Sequence, residues 1–414
     1  MTLLTLLAAL QFGADTLRLS AADALQRALV QAGPVQAAVA RERAAQSGIR
    51  TARTWNNPLF NATAENIGAQ EQITGKSGLA GIEGQITLQQ VFTLGGDRGA
   101  AVREAEAIAG AAGAGVTSAR ADAVVGTVAA MAIATRDARI ARHTAEEAAT
   151  LERLARAMSR RAEEGRSSGG EAARVRLELV TMRSLSARRG AAAAESEAEV
   201  ARRLGVAPGQ AIVIEWPACA AAPAQPRADT LPPELLQAGF NVAAAQATAD
   251  RARALRVPDI VPIAGLRRTA GYSGLLLGFS LELPLLRSGA AAQESARLQA
   301  EAAEALRADL ERRVAAQRSG TDAALRVLAE AAPAFDAALL DDLDRAVRAQ
   351  QARLAQGEGT IAELLDARRA RVNTLNEFAE WRAMRAELRA RRARLAGHPV
   401  DAQVLCEDLD LEIR

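Results

Sequence analysis

The sequence predicts a mainly α-helical protein with a small β part, in which long antiparallel coiled-coil helical hairpins are joined to four alternating strands. Three observations carry this expectation. Hydrophobic residues make up 49% of the 414 residues while aromatics make up only 3%, and alanine, which supplies most of the apolar content, enters helices at least cost and lets them approach closely. The chain switches twice from a two-residue to a three-to-four-residue apolar period, once in GQITLQQVFTLGGDRGAAVREAEA from Gly84 and again in GFSLELPLLRSGAAAQESARLQAEA from Gly278. The elements around these two switches are themselves duplicated, which is the mark of an internal repeat.

In chain order, MTLLTLLAALQFGADT comes first, with an apolar run from Leu3 to Leu10 that suits a signal-peptide core. No Arg or Lys precedes the run, and a start codon placed too far downstream would account for that. Residues 1–14 are thus read as a signal peptide, with a short buried helix as the alternative. No cysteine follows, so a lipid-anchored N-terminus is not expected.

Residues 15–205 form the first strand-strand-helix-helix repeat. A helical stretch from about Ala21 to Arg53 leads to NPLFNATAENIG, where Pro58 ends the helix and starts an extended segment. The strand from Leu59 sets Phe60, Ala62 and Ala64 opposite Asn61, Thr63 and Glu65. The next, Ile82 to Thr93, sets Ile82, Gly84, Ile86, Leu88 and Phe92 opposite Glu83, Gln85, Thr87, Gln89 and Thr93. A helix from about Asp97 to Glu164 follows, then the turn GRSSGGE at Gly165 and a return helix ending in ARRLGV.

Residues 206–232, rich in Pro and Ala, read as a connector. The second repeat, 233–397, runs through the same series. A helix from about Pro233 to Arg256 precedes VPDIVPIAGLRR, whose strand from Asp259 is the least regular of the four. The strand from Gly274 sets Leu275, Leu277, Phe279, Leu281 and Leu283 opposite Gly278, Ser280 and Glu282. A helix from about Ser288 to Gln356, the turn GEGT at Gly357 and a return helix ending in ARLAGH complete it, and 398–414 is a tail. Each long helix spans roughly 68 residues, hence roughly 100 Å at the helical rise, and rods of that length must pack side by side. Leu151, Leu154 and Met158, and Leu340, Leu343, Val347 and Leu354, have the spacing of coiled-coil seams. Pro333 must interrupt the second rod.

The strands are about ten residues long, each with one apolar and one hydrophilic face, which is the length and pattern of an outer-membrane barrel wall. A soluble sandwich shows the same alternation, but it needs a partner sheet, and no other strand-rich region is found. Four strands cannot close a barrel, so several chains must each contribute four and the protein is expected to be an oligomer. Each period switch then marks where the chain leaves a barrel and enters a periplasmic rod. No uninterrupted apolar segment of about 20 residues occurs outside the N-terminus, which sets a helical span aside.

Other chemistries are poorly supplied. The 51 basic and 49 acidic residues leave a net charge of +2 and no long-range field for nucleic acid. Lys76 is the only lysine; Cys219 and Cys406 lie in no paired spacing, and His143 and His398 are the only histidines. No constellation argues for catalysis or a cofactor, so the chain is not expected to be an enzyme. GGDRG from Gly95 lacks both the dinucleotide fingerprint and a P-loop Lys-Ser/Thr pair and reads as a barrel-to-rod connector. RAMRAELRARRARLAG from Arg382 reads as a solvated helix face, there being no aromatic platform beside it.

The hairpin tips are the strongest functional candidates. Gly165, Ser167, Ser168 and Gly169 in one turn, and Gly357, Gly359 and Thr360 in the other, leave room for another helix tip to approach, although a plain helix hairpin explains the glycines equally well. Glu171, Glu363 and Asp366 lie just past the turns. They are read either as caps favoured by the helix dipole or as acids ringing a pore.

With these motifs in place, the chain resembles a TolC-family outer-membrane efflux protein, and more narrowly the heavy-metal efflux branch of the CzcC type. The resemblance covers essentially the whole mature chain and is carried by NPLFNATAENIG, QQVFTLGGDRGAAVREAEA, VPDIVPIAGLRR with GFSLELPLLRSG, and GEGTIAELLDARRARVNTLNEF from Gly357. The last is the most specific; EEGRSSGGEAARVRLE is looser, with Glu171 where an aspartate is common. The resemblance implies a homotrimer sharing one twelve-stranded barrel in outer-membrane lipid, continued by a periplasmic helical tunnel. It further implies docking of the tips to a periplasmic adaptor protein coupled to an inner-membrane pump. The function expected is a passive exit duct for metal cations. The alternatives are the same duct serving organic toxicants, or a periplasmic adaptor with one coiled-coil hairpin.

Overall fold

A computed structural model describes residues 17–65, 67, 75, 82–207, 210, 212–215, 230–269, 272–281, 289–335 and 337–398. The signal-peptide region, Lys76, both cysteines, Leu283, Glu282 and most of the connector and tail lie outside the described residues. In order, the elements are β1 (Leu17–Ser20), α1 (Ala21–Gln31), α2 (Gly33–Arg53), β2 (Leu59–Glu65), β3 (Glu83–Gln89), α3 (Asp97–Glu163), α4 (Gly169–Leu204), β4 (Ile212–Glu215), α5 (Pro233–Ala254), β5 (Ile260–Thr269), β6 (Tyr272–Leu281), α6 (Ala290–Ala331), α7 (Ala337–Gln356) and α8 (Ile361–Leu395). The chain divides into two compact units, residues 1–36, 118–232 and 313–414 in one and 37–117 and 233–312 in the other.

The first unit is helical. Its α1 begins at Ser20, whose hydroxyl accepts the Asp23 N–H at 3.1 Å. The single helix expected over Ala21–Arg53 is two helices. Pro34 has no N–H to offer the Val30 carbonyl, and that carbonyl instead accepts from Gln36 Nε2 at 2.9 Å. Alanines dominate the core here: Ala21, Ala24 and Ala28 of α1 pack with Val128, Met131 and Ala132 of α3, Val200 and Leu204 of α4, and Ala383, Ala386 and Ala390 of α8. A two-stranded parallel sheet, β1 with β4, lies against this core through Leu17, Leu19 and Ile212. The sequence reading contains neither strand, because four residues are too few to display a period.

Pro333 breaks the second rod as expected: α6 stops at Ala331, residues 332–334 form a 3-10 turn, and α7 restarts at Ala337. Phe335 fills the break, with its ring 5.3 Å from Phe378 and 5.4 Å from Trp381, while Trp381 Nε1 donates to the Leu328 carbonyl at 3.2 Å. The first rod has no proline, and α3 runs unbroken for 67 residues.

In the second unit, β2, β3, β5 and β6 form one antiparallel sheet in that order. Helix α5 approaches α3 closely at Gly110, where an added Cβ would lie 2.5 Å from the Phe240 ring. β3 ends at Gln89 rather than Thr93. Pro262 of β5 stands opposite Gln90 and accepts its N–H at 3.3 Å but has no N–H to return. Pairing resumes for one residue at Phe92, which exchanges hydrogen bonds with Ile260 at 2.9 and 3.2 Å.

Candidate functional site

The strand registers decide which side chains share a face. Ala62 pairs with Ile86, Ile86 with Leu266, and Leu266 with Leu275; Phe60 pairs with Leu88, Leu88 with Ala264, and Ala264 with Leu277. Pro262–Phe279 and Ile260–Leu281 extend the same side. One apolar face therefore runs unbroken across all four strands. The opposite face carries Asn61, Thr63, Glu65, Glu83, Gln85, Thr87, Gln89 and Ser280, with Leu59 of β2, Val261 and Ile263 of β5 and Leu276 of β6 as the apolar exceptions.

Exposure runs opposite to that of a soluble sheet. Leu275, Leu277 and Phe279 are each 71% exposed and Leu266 62%, whereas Thr87, on the hydrophilic face, is 4% exposed. A chain in water would bury the leucines, since each is worth on the order of 2 kcal/mol when removed from solvent. A contiguous bare apolar face marks a surface meant for another apolar phase or another chain.

In the helical unit the two tips have the same construction. At the first, the Gly165 N–H bonds the Ala162 carbonyl at 3.1 Å and the Arg166 N–H bonds that of Arg161 at 2.7 Å; at the second, Gly357 bonds Leu354 at 3.3 Å and Glu358 bonds Arg353 at 3.0 Å. Both glycines sit at positive φ, +71° and +80°, so each helix ends in a Schellman turn that favours glycine. An identical interval separates Gly165 from Gly357 and Gly205 from Gly397, and all four close a helix in this way.

Each return helix opens with a capping box. Ser168 Oγ accepts the Glu171 N–H at 3.1 Å and the Glu171 carboxylate accepts the Ser168 N–H at 3.3 Å; for Thr360 and Glu363 the distances are 3.2 and 3.1 Å. Both glutamates thus cap α4 and α8, and Asp366 pairs with Arg369 one turn on, at 3.1 Å. Around Gly165, Gly169 and Gly357 an added Cβ would meet nothing, while at Gly359 it would lie 3.1 Å from Arg353 Cβ. Ser167 Oγ is buried with no hydrogen-bond partner among the described residues.

Just above the turns the hairpins share one core: Leu151 and Met158 of α3, Val175 and Leu179 of α4, Val347 of α7, and Ile361, Leu364 and Leu365 of α8, with Leu154 and Leu354 partly buried against it. The expected seams are therefore present, though Leu343 is only half-buried and the Leu340 side chain lies outside the described residues. Two ion pairs cross this core that the sequence reading did not contain. Arg368 Nη1 reaches both oxygens of Glu147 at 3.2 Å, and Arg369 Nε donates to Glu178 at 2.8 Å. The Arg369 hydrogen bond holds the Glu178 carboxyl below its usual range against the opposing effect of burial. No sequence signal could have found these pairs, because their members lie on different helices. Nearby, burial lowers the His143 pKa.

No protein-family model and no curated protein sequence matches the chain. Solved structures do match. The outer membrane protein VceC from Vibrio cholerae is 18% identical, with a TM-score of 0.76 over 91% of this chain and 96% of that one. The Campylobacter jejuni CmeC outer membrane channel is 13% identical, with a TM-score of 0.73 over 94% and 89%. The open state of the Neisseria gonorrhoeae MtrE outer membrane channel is 16% identical, with a TM-score of 0.62 over 91% and 88%. At these identities the likeness shows the fold, which is the one the sequence predicts: long helices with a smaller β part, as in these channels.

Proposed function

We propose that the chain is the outer-membrane exit channel of a tripartite efflux system, a passive duct and not an enzyme. The observation that carries this reading is the exposed apolar face spanning β2, β3, β5 and β6, backed by a hydrophilic face. Lipid satisfies the first and an aqueous lumen the second, and β5 and β6, at ten residues each, are long enough to cross the apolar layer when tilted. Among the described residues β2 and β6 are open edges, so in this reading strands from further copies close the wall. The resemblance to TolC-family proteins supports three copies, with helices extending into the periplasm. The adaptor alternative expects one hairpin, whereas this chain has two.

The tips are the docking surface for the periplasmic adaptor in this reading. Open space around Gly165, Gly169 and Gly357 supports it, as does the exposure of Ser168 and Thr360. The cargo is proposed to be metal cations on the resemblance to the heavy-metal branch. Deleting the gene tests this: lowered metal tolerance is expected, and altered tolerance to organic toxicants alone would reverse the assignment. The channel reading itself is tested by fractionating the full-length protein with its native upstream sequence and sizing it in mild detergent. An outer-membrane trimer is the expected result, and a soluble monomer would overturn it.

A further inference from the structure

Inside the helical unit the two halves of the chain meet along one face of α8. Arg368 of α8 reaches Glu147 of α3 at 3.2 Å and Arg394 reaches Asp122 at 2.5 Å, so the two helices run antiparallel and side by side between these ion pairs. The α8 stripe that joins the two arginines advances by fours and sevens, the spacing of a helix seam. On it Val372 is 1% exposed, and Ala379, Ala386 and Ala390 are buried. Ala386 and Ala390 share a core with Val128, Met131 and Ala132 of α3.

The interval that separates Gly165 from Gly357 and Gly205 from Gly397 carries this stripe onto α4. Val372 becomes Val180, and Ala379, Ala386 and Ala390 become Ala187, Ala194 and Ala198. The residue types are identical and the surroundings are opposite. Val180 is 65% exposed, and the three alanines of α4 are exposed with it. Leu177, also exposed, stands where α8 has Arg369, the residue that crosses to Glu178 of α4. On the other side of the contact, Val128, Met131 and Ala132 become Gly320, Ala323 and Ala324 of α6. There Gly320 and Ala323 are exposed, as is Val327 one turn on.

Each bare surface is thus one half of a contact that the chain already makes, and neither covers the other. A duplicated unit joined head to tail presents the same contact again at both of its ends, where only another copy can complete it. We infer that the Val180–Ala198 stripe of α4 packs against Gly320, Ala323 and Val327 on α6 of a second copy, with Leu177 against α8 of that copy. Alanine and glycine on both sides let the two helix axes approach closely. The ion pairs do not recur, because the interval sets Arg176 and Arg202 opposite Leu339 and Val314. Packing rather than charge therefore fixes the register between copies. The inference rests on several copies sharing one wall.

The test joins neighbouring copies covalently. In full-length protein carrying Cys219→Ser and Cys406→Ser, Ala194→Cys combined with Ala323→Cys is treated in outer membranes with a short dimaleimide. Species of two and three chains are expected, and neither single variant should give them. Ala187→Cys combined with Val327→Cys, the adjacent contact, decides the matter if the first pair does not assemble. Val180→Cys should react with a maleimide in the unfolded chain and lose most of that reactivity in the purified oligomer, with no adaptor present. Cross-linking by Ala194→Cys alone would pair α4 with α4 and overturn the inference, as would products confined to one chain. Full reactivity of Val180→Cys in the oligomer would also overturn it and leave this face to the adaptor. If the chain forms trimers in outer membranes but neither pair cross-links, only this inference fails; if it stays a soluble monomer, the channel reading fails with it.

Discussion

Arg368→Leu probes the energetics of the tip most directly. The Arg368 and Glu147 side chains are 10% and 5% exposed, and the Glu147 carboxylate receives both of its 3.2 Å contacts from one guanidinium nitrogen. Removing the arginine leaves a carboxylate in an apolar core with its counter-charge gone, a change that costs about 3–5 kcal/mol. The pair itself is worth far less. Its desolvation is only partly repaid, and Arg368 Nε has no hydrogen-bond partner among the described residues. Glu147→Leu together with Arg368→Leu should therefore recover most of the loss, and leucines on both sides would extend the neighbouring core of Leu151, Leu364 and Leu365. Hydrogen exchange over residues 361–395 and 140–158 reads the local stability without requiring the whole chain to unfold in one step. A single-variant cost below about 1 kcal/mol, or a double variant as unstable as the single, would refute the reasoning, since either result requires solvent to reach the pair.

On the sheet, Leu277→Arg should cost about 2–4 kcal/mol in urea unfolding from lipid vesicles, while Ser280→Arg on the opposite face should stay near wild type; equal effects would mean that the two faces see the same medium. Ser168→Ala and Thr360→Ala should each weaken protection of the first turn of their helix by about 1 kcal/mol. Gly165→Ala and Gly357→Ala should cost about 1 kcal/mol each through backbone strain alone, as the added methyl meets nothing. Gly265→Ala should be worse, since its Cβ would lie 2.1 Å from the Ile86 carbonyl oxygen, and loss of the folded sheet is what a trypsin-resistance assay should report.

Two acid responses should separate in the helical unit. Glu178, and Glu199 at about 2, titrate below the carboxylate reference of 4.5, so their stabilisation is complete above that value and is lost as pH falls through the lower folded value. His143 is held neutral by burial below its reference of 6.5, so the unfolded chain takes up its proton first and stability starts to fall near that pH. His143→Gln should remove the decline that begins below the histidine reference of 6.5 and leave the loss below the carboxylate reference of 4.5; an unchanged profile would show that the histidine is not the group responsible.

The sequence by itself determined whatever depends on neighbours along the chain. Alternation in Leu59–Glu65 and Tyr272–Leu281, the rod Asp97–Glu163, the break at Pro333 and the turns at Gly165 and Gly357 were all legible, because period, proline and glycine act within a few residues. The break at Pro34 is legible on the same grounds, although the helical period continues across it. What only the tertiary structure decided was pairing across distance. Pro262 shortens β3 by meeting Gln90 on another strand, and Arg368 and Arg369 find Glu147 and Glu178 on other helices. Trp55, Phe92, Arg98 and Arg251 converge only once the sheet is assembled. Alternation likewise told that one sheet face is apolar, but not whether it is covered. That required the folded chain, where no other described element buries Leu275, Leu277 or Phe279.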